Sequence, residues 1–221
     1  MKRRALSPTE ILSKKIARLD FDGAWEASLG KPATSGVWIV WGSSGNGKSS
    51  YVMQLAKYLC RFDRVLYDSL EESTGLSFQR SLARNGMQEV SRRFMILDRE
   101  PMERVAERLK RRKSPGVAII DSFQYAGLTY NAYKELKESL PGKLLIFVSH
   151  AEGLRPAGRP AKNVEYDADV KIRVEGFRAI CKSRFLEHPS VPYTIWAEGA
   201  AKYWGDAESP VATMWCGKRG F

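Results

Sequence analysis

Residues 37 to 50, Val-Trp-Ile-Val-Trp-Gly-Ser-Ser-Gly-Asn-Gly-Lys-Ser-Ser, set three glycines, a lysine and several hydroxyls between an apolar run and a helical pattern. Gly42, Gly45, Gly47, Lys48 and Ser49 meet the spacing G-x-x-x-x-G-K-[ST] of a phosphate-binding loop. The glycines let the chain turn with positive φ, so the backbone N–H groups of Gly42, Ser43, Ser44, Gly45, Asn46 and Gly47 can approach a polyphosphate closely. The helix that follows, from Ser50, adds the positive end of its dipole. Lys48 is suited to bridge the β- and γ-phosphates of a nucleoside triphosphate, and the Ser49 hydroxyl to take one position on Mg²⁺.

Hydrolysis needs more than a cradle. Val117-Ala-Ile-Ile-Asp121 is a buried-strand pattern ending in an acid, which places Asp121 to hold Mg²⁺ through its water shell. Glu71 follows the strand Arg64-Val-Leu-Tyr-Asp68, where a carboxylate beside the phosphate loop can take a proton from attacking water; Glu72 is adjacent and serves the same chemistry equally well. Lys182 and Arg184, two residues apart on a predicted strand, point to one side and can converge on one anion. The segment Ala151 to Asn163 has two prolines and two glycines, with Arg155, Arg159 and Lys162 against Glu152; it reads as a mobile basic loop able to follow a phosphate chain. Tyr125 and Tyr130 are candidates for base stacking or for core packing. His150 is either functional or a satisfied structural residue.

The elements that must position these groups alternate. Strands are expected at Val37 to Trp41, Arg64 to Asp68, Phe94 to Leu97, Val117 to Asp121 and Leu144 to Val148, with helices at 50–60, 76–85, 102–113 and 131–140. This alternation predicts an α/β protein, a mostly parallel sheet with helices on both faces. Ala168 to Val174, Phe177 to Phe185 and Tyr193 to Ala197 read as further strands, plausibly antiparallel, with Glu175-Gly176 as a tight turn. Ahead of them, Ser7-Pro8-Thr9-Glu10 is a capping box opening a helix, and Gly23 to Leu29 forms a second. The expected division is a helical appendage or lid at 1–35, a catalytic domain at 36–204 and a basic tail at 205–221.

Composition bounds the rest. The chain has 221 residues with 36 Lys and Arg against 25 Asp and Glu, a formal charge of +11 that favours a polyanionic partner. Cys60, Cys181 and Cys216 lack metal or disulfide spacing. No apolar run is long enough to span a bilayer and no secretory leader is visible, so a soluble, cytoplasmic protein without membrane contact is expected.

Four segments together resemble the core of RecA-type ATPases: Gly42-Ser-Ser-Gly-Asn-Gly-Lys-Ser49, Val65-Leu-Tyr-Asp-Ser-Leu-Glu-Glu-Ser73, Val117-Ala-Ile-Ile-Asp-Ser-Phe-Gln124 and Leu145-Ile-Phe-Val-Ser-His150. The flavour is that of the RadA/Sms, KaiC and DnaB branch, and Phe177-Arg-Ala-Ile-Cys-Lys-Ser-Arg-Phe185 is similar to its Lys-x-Arg segment. The resemblance implies a RecA-like fold, ATP and Mg²⁺ as ligands, and Glu71 as catalytic base. It further implies that Gln124 leads into a DNA-facing loop and that Lys182 and Arg184 reach a neighbour's γ-phosphate in a homo-oligomeric ring or filament. It places residues 152–163 at a second DNA-binding loop on single-stranded DNA. His150 stands where the family carries a sensing Gln, and Leu186 replaces a Gly. The implied role is a DNA-dependent motor, helicase or recombinase-like, in replication or recombination; its minimal size is compatible with a cellular, viral or mobile-element origin. The alternatives are an ATP-gated loader or switch with slow hydrolysis, and a small-molecule kinase.

Overall fold

The computed structural model describes residues 4–205. In chain order the elements are α1 (Pro8–Leu12), α2 (Gly23–Leu29), β1 (Gly36–Gly42), α3 (Lys48–Leu59), β2 (Val65–Ser69), α4 (Leu76–Arg84), a 3-10 turn (Met87–Val90), β3 (Phe94–Asp98), α5 (Met102–Lys110), β4 (Val117–Asp121), α6 (Tyr130–Ser139), β5 (Leu144–Glu152), β6 (Arg155–Pro156), α7 (Arg159–Asp167), β7 (Val170–Glu175), β8 (Arg178–Ser183), β9 (Tyr193–Thr194) and α8 (Ala197–Trp204). The sheet runs β3-β2-β4-β5-β1-β7-β8-β9, with β6 hung on β5. From β3 to β7 all pairings are parallel, and β8 and β9 are antiparallel additions.

Side chains alternate across β1. Trp38 and Val40 enter a core with α2, α3 and α4, where Trp25, Tyr51, Leu55 and Phe78 are buried. Val37, Ile39 and Trp41 enter a second core with α5, α6 and α7, including Val105, Tyr133 and Val164. A strand covered on both faces must be apolar at every position, which is why β1, β4 and β5 read as continuous hydrophobic runs. Topologically, β5 lies between the phosphate-loop strand and β4, so the carboxyl ends of β1, β5, β4 and β2 share one rim.

Two expectations need correction. The boundary at residue 35 falls inside one core: Leu19, Phe21 and Leu29 are buried, and Trp25 stacks on Tyr193 at 4.1 Å and on Tyr58 at 5.1 Å. Asp22 ties this segment to α3 through Tyr58 and Arg61 at 2.9 and 3.0 Å. Residues 19–30 are therefore part of the same packed domain as β1 and α3, not a lid. Only α1 stands off, with its Ser7–Glu10 capping box formed and Ile11 and Leu12 exposed.

The second correction concerns residues 151–163, which do not form a mobile loop. β5 continues to Glu152, turns into β6, and α7 begins at Arg159. Pro160 lies in the first turn of α7, where its missing N–H is harmless, and Ala161, Val164 and Ala168 bury one face against the sheet. The proposed tail from residue 206 onward, with Cys216, lies outside the described residues.

Candidate nucleotide-binding site

The phosphate loop closes against a hairpin. Gly45 and Gly47 take positive φ, 77° and 94°, as close backbone approach to phosphates requires. Gly42 is needed for another reason: a Cβ there would lie 2.4 Å from the Val174 carbonyl oxygen. Asn46 fastens the loop to the β7–β8 turn, accepting from the Gly176 N–H on its side chain at 2.8 Å and from the Phe177 N–H on its carbonyl at 3.1 Å. Gly176 and Phe177 both have positive φ, 51° and 58°, matching the primed two-residue turns that suit hairpin twist. For Phe177 that conformation is strained, and its ring is braced edge-on against Trp196 at 5.0 Å.

A cleft of about 470 Å³ opens above the loop. Its lining includes the Gly-rich turn except Asn46, with Lys48, Ser49 and Ser50, and across from them Glu71, Glu72, Asp121 and His150. The sequence-predicted phosphate, metal and base residues thus converge on one cavity of ligand-pocket size. Arg84 from α4 and Phe177 also line it. Neither was singled out by motif, because each arrives through tertiary packing.

Asp121 ends β4 and accepts a hydrogen bond from the Tyr67 hydroxyl. Burial pushes its carboxyl above the usual range, against the opposing pull of Tyr67 and Lys48. Its carbonyl receives the N–H groups of Leu70 and Glu71 at 2.7 and 3.2 Å, so the backbone leaving β2 is hung on Asp121. Glu71 is thereby fixed at the cleft wall, where its carboxylate meets His150 Nε2 at 2.8 Å. Burial raises the Glu71 carboxyl, but the His150 hydrogen bond, the nearby Ser122 hydroxyl and the Lys48 charge hold it below its ordinary value. Glu72 also lines the cleft while accepting from Ser77 at 3.1 Å.

His150 pairs with Gly42 across β5 and β1. Gln124 accepts its backbone N–H at 3.2 Å and donates to Ser149 and to the Ala157 carbonyl at 2.8 and 3.0 Å. A chain of hydrogen bonds therefore runs from Glu71 through His150 and Gln124 to the segment ahead of α7. That route was not legible, since it joins residues far apart in sequence.

Other predicted residues lie elsewhere. Lys182 is on β8, four residues beyond Arg178 and about 14 Å along the strand from the turn at the phosphate loop. Arg184 falls just past the end of β8, contrary to its expected strand position, and pairs with Asp169 at 3.0 Å. Both sit toward the rim opposite the chain's own cleft. Arg155 pairs with Glu165 and donates to the Tyr166 hydroxyl at 3.0 Å, and Lys162 pairs with Glu152 at 2.7 Å. Arg159 is exposed at the start of α7. Tyr125 is exposed, whereas Tyr130 stacks on Tyr133 at 5.8 Å. Cys60 and Cys181 are free and buried, their thiols pushed up by burial to about 11 and about 12.

The residues present fit a Mg²⁺–nucleotide. Among the described residues no cluster of three acidic, His or Cys side chains forms a self-sufficient metal site. A Mg²⁺ bound by one hydroxyl, one carboxylate and the substrate's own phosphates needs none, and Ser49 with Asp121 supplies that set.

No protein-family model matches the chain, and no curated protein does either. Among solved structures, the flagellar accessory protein FlaH from Methanocaldococcus jannaschii is similar, with a TM-score of 0.53 and 16% identity over 72% of this chain and 80% of that one. At that identity the likeness bears on architecture alone. Together with the sheet order and the placement of the phosphate loop, it identifies a RecA-like α/β fold. No helix among the described residues is long and apolar enough to cross a membrane.

Proposed function

We propose that the chain is an ATP-hydrolysing, oligomeric RecA-type motor that acts on DNA in replication or recombination. The convergence of Lys48, Ser49, Asp121 and Glu71 on one cleft is the observation that carries the reading. Backbone N–H groups of residues 42–47 and Lys48 hold the triphosphate, and Ser49 and Asp121 hold Mg²⁺. When bound, the metal neutralises charge on the β- and γ-phosphates. Glu71, ionised and kept so by His150, accepts the proton of the attacking water. Lys182 and Arg184 lie too far from their own cleft to serve it, so they complete that of a neighbour, as the branch with the Lys-x-Arg segment does. Arg155, Arg159 and Lys162 are the proposed contacts to single-stranded DNA; Arg155 and Lys162 would exchange a carboxylate partner for phosphate.

Those internal ion pairs favour a second reading, an ATP-gated accessory or loader that hydrolyses slowly. Phosphate release measured with and without single-stranded DNA separates the two: strong stimulation supports the motor, a slow and unchanged rate the switch. Glu71→Gln is expected to lower turnover by about 10²- to 10⁴-fold while leaving binding of a fluorescent ATP analogue intact. Full turnover in that variant would remove Glu71 from the mechanism, and transfer of phosphate to a metabolite would replace both readings with a kinase.

A further inference from the structure

The excess of 36 cations over 25 acids is not spent around the cleft, where Arg155 and Lys162 each face a carboxylate. It gathers at the opposite rim. In a parallel sheet every strand begins at the same edge, and Phe94, Val65, Val117 and Leu144, the first residues of β3, β2, β4 and β5, are in register. Arg92 and Arg93 lead into β3, Arg61 and Arg64 into β2, the run Lys110 to Lys113 into β4, and Lys143 into β5. With strands about 4.8 Å apart, these four entries form a cationic line about 15 Å long.

Most of these charges are held in place by carbonyls and hydroxyls, and Arg61 by Asp22. Arg93 donates to the carbonyls of Cys60 and Arg61 at 2.7 and 3.1 Å. Arg64 donates to the Lys113 carbonyl, and Lys143 to Ser114 Oγ and the Pro115 carbonyl, both at 2.8 Å. Carbonyls and hydroxyls thus staple adjoining entries together, and among the described residues no ion pair engages Arg64, Arg93 or Lys143, although the Asp63 charge acts on Lys143. Asp63 is set among these cations, with its carboxylate turned to the Arg64 N–H, and Asp22 pairs with Arg61. Glu107 and Glu138 lie about one turn back on α5 and α6. Lys110, Arg111, Arg112 and Lys113 are exposed, and no ion pair engages them.

What these four entries lack narrows their partner: no large apolar or aromatic side chain is exposed within them, the exposed Ile11, Leu12 and Ile16 belonging to the segment ahead of β1. A membrane surface is gripped through apolar side chains sunk beside the cations, and unstacked bases through aromatic platforms. A row of cations alone suits a phosphate backbone whose bases are already paired. We infer that this rim is a docking surface for the backbone of duplex nucleic acid, independent of sequence and on the far side of the sheet from the nucleotide cleft. The surface is distinct from the single-strand contacts proposed above and does not depend on ATP hydrolysis.

Fluorescence anisotropy of the full chain with a labelled blunt duplex, over a salt series, tests it. The comparison is with K110Q/R111Q/R112Q, whose replaced side chains are exposed and make no hydrogen bond or ion pair among the described residues. Wild-type binding should weaken steeply with salt, and the triple variant should lose about 2 to 3 from the slope of log K against log salt. DNA-free ATP turnover should be unchanged, so a defect in the cleft registers separately. An unaltered slope overturns the inference, as does failure to bind duplex. Capture by phosphatidylserine vesicles in place of duplex, or a larger loss on a single strand than on duplex, overturns it equally.

Discussion

Arg184→Ala separates folding from chemistry because the two effects differ greatly in size. The side chain is 61% exposed and its pair with Asp169 spans 3.0 Å. An exposed pair of this kind contributes at most about 1 kcal/mol, a shift of about 2 to 4 °C in Tm for a domain of this size. The backbone bond from the Arg184 N–H to the Asp169 carbonyl survives the substitution. If Arg184 stabilises charge in a neighbour's site, turnover should instead fall by about 10³-fold or more, about 4 kcal/mol at the barrier. Lys48→Ala provides the complement: it disables its own cleft and keeps Arg184 intact. Mixed in equal amounts, the two variants should recover about a quarter of wild-type turnover, because a protomer with a sound cleft then meets a neighbour with a sound arginine. Co-assembly is followed by size exclusion with an ATP analogue. Recovery of nothing from a verified mixed assembly, or normal turnover by Arg184→Ala alone, refutes the shared site.

The cleft and its surroundings give further expectations. Asp68 is 1% exposed, and burial pushes its carboxyl up to about 6 from 3.8. The folded chain keeps this proton to higher pH than the unfolded one, so the associated stability is complete below about pH 4 and is lost as pH rises through 6, on the order of 3 kcal/mol. Asp68→Asn should therefore be more stable than wild type in urea at about pH 7.5 and gain little at about pH 3.5; equal effects at both pH values would rule this out. His150→Ala removes the hydrogen bond that holds the Glu71 carboxyl down, leaving burial to raise it, so the acidic limb of the ATPase pH profile should move to higher pH. A limb that stays put would show that Glu71 is not the titrating base. Gly42→Ala would drive a methyl group into the Val174 carbonyl. Strain of about 1 to 3 kcal/mol and weakened nucleotide binding are expected, measurable by melting with and without ATP analogue.

The phosphate loop, Asp121 and the alternating core were legible because each is local: a spacing, an apolar run ending in an acid, a periodicity. Helix α5 was placed correctly by Met102, Val105 and Leu109, all buried. What escaped reading depends on contacts between distant segments. Pro156 and Pro160 look like loop punctuation, yet Pro160 starts α7, and only the burial of Ala161 and Val164 on the sheet decides between the two. Trp25 and Leu29 seemed to belong to an appendage until β9 supplied Tyr193 to stack upon. The Glu71–His150 contact joins residues 79 apart. Helix α8 went unread because it is short and buries only Gly199 and Ala200.

The tight turn at Gly176 and Phe177 has a mechanical consequence. Asn46 bolts it to the phosphate loop, and β7 and β8 run from it as a ladder of six paired positions to the end that carries Lys182. Such a ribbon is stiff, so if the loop shifted when a bound nucleotide lost its phosphate, the shift would be carried along β7 and β8 toward their far end. In an assembly of the kind proposed, each subunit would pass word of its own nucleotide to the next through this single rod, and firing in sequence would require no additional messenger.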